Sequence, residues 1–355
     1  MTTATKTLIA AGTLALLATP ILAQQRRAGA GPAPECRAEI QQLCGGNRGE
    51  LRTCLREKYT QLSEGCQAEL RARMEARGGQ SDRPAGGARR GGQGMMAASA
   101  AVSSTVSYGP DEHQKIDLYR PEGATGAAPL VLFIHGGGWS FGNHKTTVQA
   151  KPQHFTAAGY VFASTGYRLL PEAPVETQAA DIGAALQALR TEARANGFDP
   201  NSIVLMGHSA GAHLAALVAT DPQYAGDAFG AIKGVVLLDG AGYDVAAQVK
   251  RSDNELPRIY QAAFGSDPAR QRALSPTTHV GGPDAPHWLA LYVAERAASK
   301  AQSEALVAAL TKAGARAEAV PVTDTDHGRM NRELGTNAGQ AQTKAVDAFL
   351  KQVFG

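Results

Sequence analysis

Asn201 to Thr220 reads NSIVLMGHSAGAHLAALVAT, with Gly207-His208-Ser209-Ala210-Gly211 at its centre. An apolar, β-branched run (Ile203 to Met206) enters the pentapeptide, and an Ala/Leu-rich helical pattern leaves it. A G-x-S-x-G sequence in that setting forms a sharp strand-to-helix turn that lifts a serine hydroxyl above the edge of a sheet. Gly207 and Gly211 stand two residues to either side of the serine because a Cβ there would collide with neighbouring backbone. Ser209 is therefore the candidate nucleophile.

A second glycine cluster lies upstream. His135-Gly136-Gly137-Gly138-Trp139 follows the apolar run PLVLFI. Backbone N–H groups in such a loop, with the N–H after the nucleophile, can hold a developing oxyanion. The candidates are Gly136, Gly137 and Ala210. A phosphate-binding loop is excluded by spacing, since neither G-x-G-x-x-G nor G-x-x-x-x-G-K-[ST] fits the stretch.

The segments DLYRP, LFIHGGGWSFG, STGYRLLPEAP, GHSAG and DHGRMNRELG follow one another in this order. Together they resemble the α/β-hydrolase esterases with an HGGG-type oxyanion loop. That group includes hormone-sensitive-lipase-like carboxylesterases, feruloyl and acetyl esterases, and kynurenine formamidases. The resemblance runs from Tyr108 to the C-terminus. It implies an α/β fold with a mostly parallel sheet covered on both faces, a serine hydrolase reaction, no cofactor and no metal.

In this fold the nucleophile, acid and histidine follow one another along the chain. His327 is the last histidine, set after a strand and the polar turn Thr323 to Asp326. Position and resemblance both make it the base. The family's acid is an Asp in the turn before the histidine strand. Here that turn reads Tyr292-Val293-Ala294-Glu295-Arg296-Ala297 and holds no Asp. Counting back from Gln302-Ser303, Glu295 falls on the acid position. Asp239, after the LLD strand, and Asp324, near the base, are the alternatives. His208 borders the site, His213 packs in the elbow helix, and His135 fixes the glycine loop. Asp181 and Tyr167-Arg168 read as structural.

The chain has 355 residues and a net charge of +3. Residues 1–23 read as a secretory signal, with Lys6, an apolar run from Leu8 to Leu17, and Ala23 before the cut. A secreted or periplasmic location follows. All four cysteines (Cys36, Cys44, Cys54, Cys66) lie within residues 24–77. An even set in an exported chain reads as two disulfides. The gaps lack the short C-x₂₋₄-C pairs of zinc sites. A helical hairpin would pair Cys36 with Cys66 and Cys44 with Cys54, although spacing alone permits three connectivities. The pattern is similar to the cysteine-rich repeat of a Golgi-apparatus glycoprotein family.

Residues 78–101 are rich in Gly and Arg and read as a flexible linker. Residues 24–101 hold thirteen basic and eight acidic side chains, whereas residues 102–355 hold 21 basic and 24 acidic. The basic linker is thus a candidate contact for an anionic envelope surface. No basic-aromatic interleaving suggests nucleic acid. Residues 102–355 form the hydrolase part, in which strands alternate with helices until Tyr243–Val280 interrupts them. That excursion, with two short helical pieces, is either a lid over the acyl pocket or a surface detour. The function expected is an exported serine esterase acting on short-chain or aryl carboxylic esters, small or carbohydrate-linked. A formamidase, or a non-catalytic exported binding protein on the same fold, is the alternative.

Overall fold

A computed structural model describes residues 34–44, 55, 58–70, 100–123, 127–251 and 257–355. The signal, Cys54 and nearly all of the linker lie outside the described residues. The chain divides into two units, one within Met1–Asp82 and one within Arg83–Gly355.

In the first unit, helix α1 (Pro34–Cys44) and a helical stretch over 64–70 are joined by the Cys36–Cys66 disulfide, the longer of the two expected pairs. Cys44 is disulfide-bonded as well. Cys36, Ile40, Leu62 and Cys66 form a small buried cluster. A cluster of this size gives modest burial energy, and a crosslink adds to it by restricting the unfolded chain.

The second unit is built on eight strands: β1 (Ser104–Ser107), β2 (Lys115–Tyr119), β3 (Ala128–Ile134), β4 (Val161–Thr165), β5 (Phe198–His208), β6 (Ile232–Leu238), β7 (His287–Val293) and β8 (Arg316–Val322). They form one sheet in the order β1-β2-β4-β3-β5-β6-β7-β8. The β1–β2 and β2–β4 pairs are antiparallel, and all others are parallel. Parallel strands need crossovers, and helices supply them: α2 (Lys151–Ala157), α3 (Val175–Asn196) and α4 (Ala210–Thr220) lie between β3 and β6.

Alternation within the strands places the two cores. Leu130, Leu132 and Ile134 of β3 join Ile203 and Leu205 of β5 and the apolar faces of α3 and α4. Val131 and Phe133 face the other way, with Val204, Met206 and Phe155 of α2. Both sides of the central strands are thus dry, which is why they read as unbroken apolar runs.

Among its described residues the Tyr243–Val280 excursion contains four short helices rather than two: α5 (Val245–Lys250), α6 (Pro257–Phe264), α7 (Pro268–Ala273) and α8 (Pro276–His279). Their starts are marked by residues that favour caps. The Asp244 side chain accepts from Ala247 N–H, and Asp267 accepts from Ala269 and Arg270 N–H ahead of Pro268. The chain closes with α9 (Ala297–Lys312), α10 (His327–Arg332) and α11 (Gln340–Phe354). Among the described residues no helix is long and apolar enough to cross a membrane.

Candidate active site

The carboxyl ends of five neighbouring strands meet at one edge, where sites in such sheets form. β3 delivers the glycine loop, β5 Ser209, β6 Asp239, β7 the turn with Arg296, and β8 the loop before His327. Ser209 sits at φ 56°, a conformation costly for a residue with a side chain. The tight turn demands small neighbours. A Cβ on Gly207 would fall on the Gly211 carbonyl, and one on Gly211 on those of Ile134 and His135.

The Ser209 hydroxyl lies 2.9 Å from His327 Nε2, positioned to donate to it. On the other side of the ring, Nδ1 lies 2.7 Å from Asp239 Oδ2. Only the tautomer with its proton on Nδ1 donates to Asp239 and leaves Nε2 free to accept from serine. The position expected for Glu295 is therefore held by Asp239, one strand earlier, and the Glu295 assignment is corrected. Glu295 is exposed on the turn after β7, and no hydrogen bond joins it to the imidazole. Asp324 is also exposed and makes no bond to His327. Counting along the chain led to the turn after β7, whereas the carboxylate comes from the end of the neighbouring β6.

Asp239 is 1% exposed and has φ 48°, a left-handed conformation that Asp tolerates. Burial alone would push its carboxyl up. The hydrogen bond with His327 and the charge of Arg296 outweigh burial and hold it well below the usual carboxylate range. Its Oδ1 accepts from Val293 N–H at 3.0 Å, and its Oδ2 also meets Arg296 Nη1. The sheet continues into the site: Ser209 N–H donates to Leu238 O at 3.1 Å, and Asp239 N–H to Leu291 O at 2.7 Å.

The glycine loop stands against the nucleophile. A Cβ on Gly136 would lie 3.0 Å from Ser209 Cβ and 2.7 Å from His208 O. Gly137 has φ 134°, open to glycine alone. Ala210 opens α4, so its N–H belongs to the helix's first turn, where donors lack intrahelical partners. His135 Nδ1–H donates to Gly136 O at 2.8 Å, while Tyr167 stacks on the His135 ring and donates to its carbonyl. Burial lowers His135 to about 4, so the ring is neutral. Beneath the loop, Trp139 is 2% exposed and meets His213, Tyr260 and Phe264 edge-on. The excursion thus packs directly on the oxyanion loop through α6. Asp181 receives the Arg168 backbone and guanidinium, a structural clamp.

Two further residues brace the base. His208 Nε2–H donates to His327 O at 2.8 Å and packs on the His327 ring, tying the serine turn to the base's own backbone. Lys151 is fully buried. Its Nζ donates to Asn331 O at 2.8 Å, in the last turn of α10, and lies 4.8 Å from the Phe133 ring centroid. Burial lowers its pKa to about 7. Neither role has a local sequence signal. The partners are 119 and 180 residues away. Among the described residues no cluster of His, Cys, Asp and Glu could hold a metal.

This fold and this site define a serine hydrolase of the α/β-hydrolase type, in the ester-hydrolase class. The chain belongs to the BD-FAE family, which it matches over residues 116–310. It is similar to a kynurenine formamidase of Danio rerio, with 28% identity covering 62% of this chain and 73% of that protein. It is also similar to a probable isoprenylcysteine alpha-carbonyl methylesterase of Arabidopsis thaliana, with 32% identity over 32% of this chain and 24% of that protein. A solved esterase B of Lactobacillus rhamnosis shares the fold, with a TM-score of 0.61, 22% identity, and 81% and 95% of the two chains covered.

Proposed function

We propose that the protein is an exported serine esterase that cleaves short-chain or aryl carboxylic esters through an acyl-enzyme on Ser209. The observation that carries this reading is the unbroken run from Ser209 Oγ through His327 to Asp239. In the proposed reaction His327 Nε2 takes the serine proton as Oγ bonds to the ester carbon. The resulting oxyanion turns to the N–H groups of Gly136, Gly137 and Ala210. The carbon–oxygen bond to the alcohol then breaks, and the leaving oxygen receives the proton from His327. Water repeats the sequence on the acyl-enzyme, releasing the acid and restoring Ser209. Asp239 keeps the proton on Nδ1 and offsets the imidazolium charge. Export rests on the N-terminal sequence and is supported by the Cys36–Cys66 disulfide, a bond that persists in oxidising compartments.

The test is hydrolysis of p-nitrophenyl esters, acetate through decanoate, by the full chain and by Ser209→Ala. Turnover in the parent and its loss in the variant are expected, and the chain-length profile sizes the acyl pocket. Equal rates in both would sink the proposal. A second reading, cleavage of a formamide, is favoured by the relative named kynurenine formamidase. A parallel assay on an N-formyl anilide separates the two.

A further inference from the structure

The turn after β7, where the family resemblance expects an acid, supplies a cation instead. Arg296 Nη1 meets Asp239 Oδ2 and stands 2.8 Å from His327 Nδ1. The Asp239 side chain has no exposed surface, whereas that of Arg296 is 35% exposed. The guanidinium therefore reaches inward from solvent. It does so across an open cleft of about 680 Å³ bordered by Arg296, Glu295, Asp324 and His327 but not by Ser209.

Donor counting shows what the guanidinium can do. Arg296 has donors only, and Nδ1 is a donor in the tautomer that serves the serine. Two donors this close repel unless an anion sits between them. Asp239 Oδ2 is that anion and takes both. Were Nδ1 to accept from Arg296 instead, the proton would sit on Nε2, and Ser209 would lose its acceptor. The imidazole is thus held between a carboxylate that attracts Nδ1–H and a guanidinium that blocks it from rotating past. Histidine's second side-chain torsion is otherwise soft. Asp239 gains a countercharge for a buried carboxylate, which is costly to leave unpaired.

We propose that Arg296 is a positioning residue: it fixes Asp239 and confines His327 to the orientation and tautomer that activate Ser209. The inference rests on the serine-esterase reading above.

The test compares Arg296→Met and Arg296→Lys in the full chain, with Arg329→Met as a control on the same cleft, since the Arg329 guanidinium bonds Glu333 and the Asp324 carbonyl and reaches none of Ser209, His327 and Asp239. In Arg296→Met, kcat on p-nitrophenyl acetate is expected to fall by about 10²-fold with KM unchanged, the scale of a misaligned catalytic group. Arg296→Lys restores part of the rate by returning the charge, and Arg329→Met keeps it all. The far-downfield proton resonance of the His327–Asp239 hydrogen bond is expected in the parent and the Lys variant, and lost in the Met variant. That signal reports on Arg296 without turnover, so it separates the two failures. An inert parent that keeps the resonance, with loss in the Met variant, would overturn the esterase reading alone. A Met variant with parental kcat, an effect confined to KM, or an unchanged resonance would overturn the role of Arg296.

Discussion

At the scale of single residues, Asp239 and Glu295 make opposite predictions. Asp239 is buried and touches the imidazole, while Glu295 faces solvent. Asp239→Asn keeps the shape but favours the wrong histidine tautomer. It is expected to lower kcat on p-nitrophenyl acetate by about 10³- to 10⁴-fold, with KM little changed. Glu295→Gln is expected to retain the parental rate. A normal rate in Asp239→Asn with a collapse in Glu295→Gln would reverse the assignment. What the sequence shows and hides at this scale has a physical cause. Ser209 and the glycine loop are local: each turn needs small residues at fixed offsets, and those offsets can be read directly. The acid, by contrast, is defined only by which strand ends stand beside His327. Asp239 is 88 residues from His327 in sequence, and Arg296 reaches 57 residues back to Asp239. No offset encodes such contacts, so counting within one turn chose Glu295.

At the scale of elements, α10 begins with His327 and is secured at both ends. The Asp326 side chain caps its start by accepting from Arg329 N–H, and Lys151 binds the Asn331 carbonyl in its last turn. The second contact costs stability in acid. The lysine titrates near 7 when folded and near 10.5 when unfolded. Below pH 7 both states carry the proton, so the folded state bears the full cost of a buried cation. Between pH 7 and 10.5 the unfolded chain holds the proton and the folded chain does not. Stability from this group therefore rises with pH, by up to about 1.4 kcal/mol per unit. Lys151→Met removes that slope. Thermal unfolding of parent and variant from pH 5 to 9 is expected to show the variant relatively most stable below pH 7, with the parent gaining steadily above it. Parallel curves would show that Lys151 does not titrate in this range. Strands and long helices were legible because apolar period and length are strong signals. The four short helices of the excursion were not, since each is marked only by a cap and a proline.

At the scale of the whole molecule, the two units are stabilised differently. The N-terminal unit carries every cysteine of the chain, and the hydrolase unit carries none. Among the described residues the N-terminal unit has a buried cluster of four, against two extensive cores flanking the eight-stranded sheet. Replacing Cys36 and Cys66 by serine is expected to destabilise the first unit by roughly 2–4 kcal/mol. The same change, or reduction by dithiothreitol, is expected to leave ester hydrolysis at the parental rate. Circular dichroism melts and p-nitrophenyl acetate assays, with and without reductant, check both halves. Loss of hydrolysis on reduction would show that the hydrolase unit depends on the disulfide-bonded one.

The backbone bonds from Ser209 to Leu238 and from Asp239 to Leu291 have a consequence for how this enzyme can diversify. Ser209 is tied to the end of β6 and Asp239 to the end of β7, so their spacing follows the register of neighbouring strands in one sheet. The 47 residues from Gly240 to Pro286, between Asp239 and the start of β7, are not needed to set that spacing, although Tyr260 and Phe264 among them pack on Trp139 of the oxyanion loop. Changes of length or composition at exposed positions of that segment can reshape its surface while the distance between the reacting groups stays fixed, provided the side chains packed on Trp139 are kept.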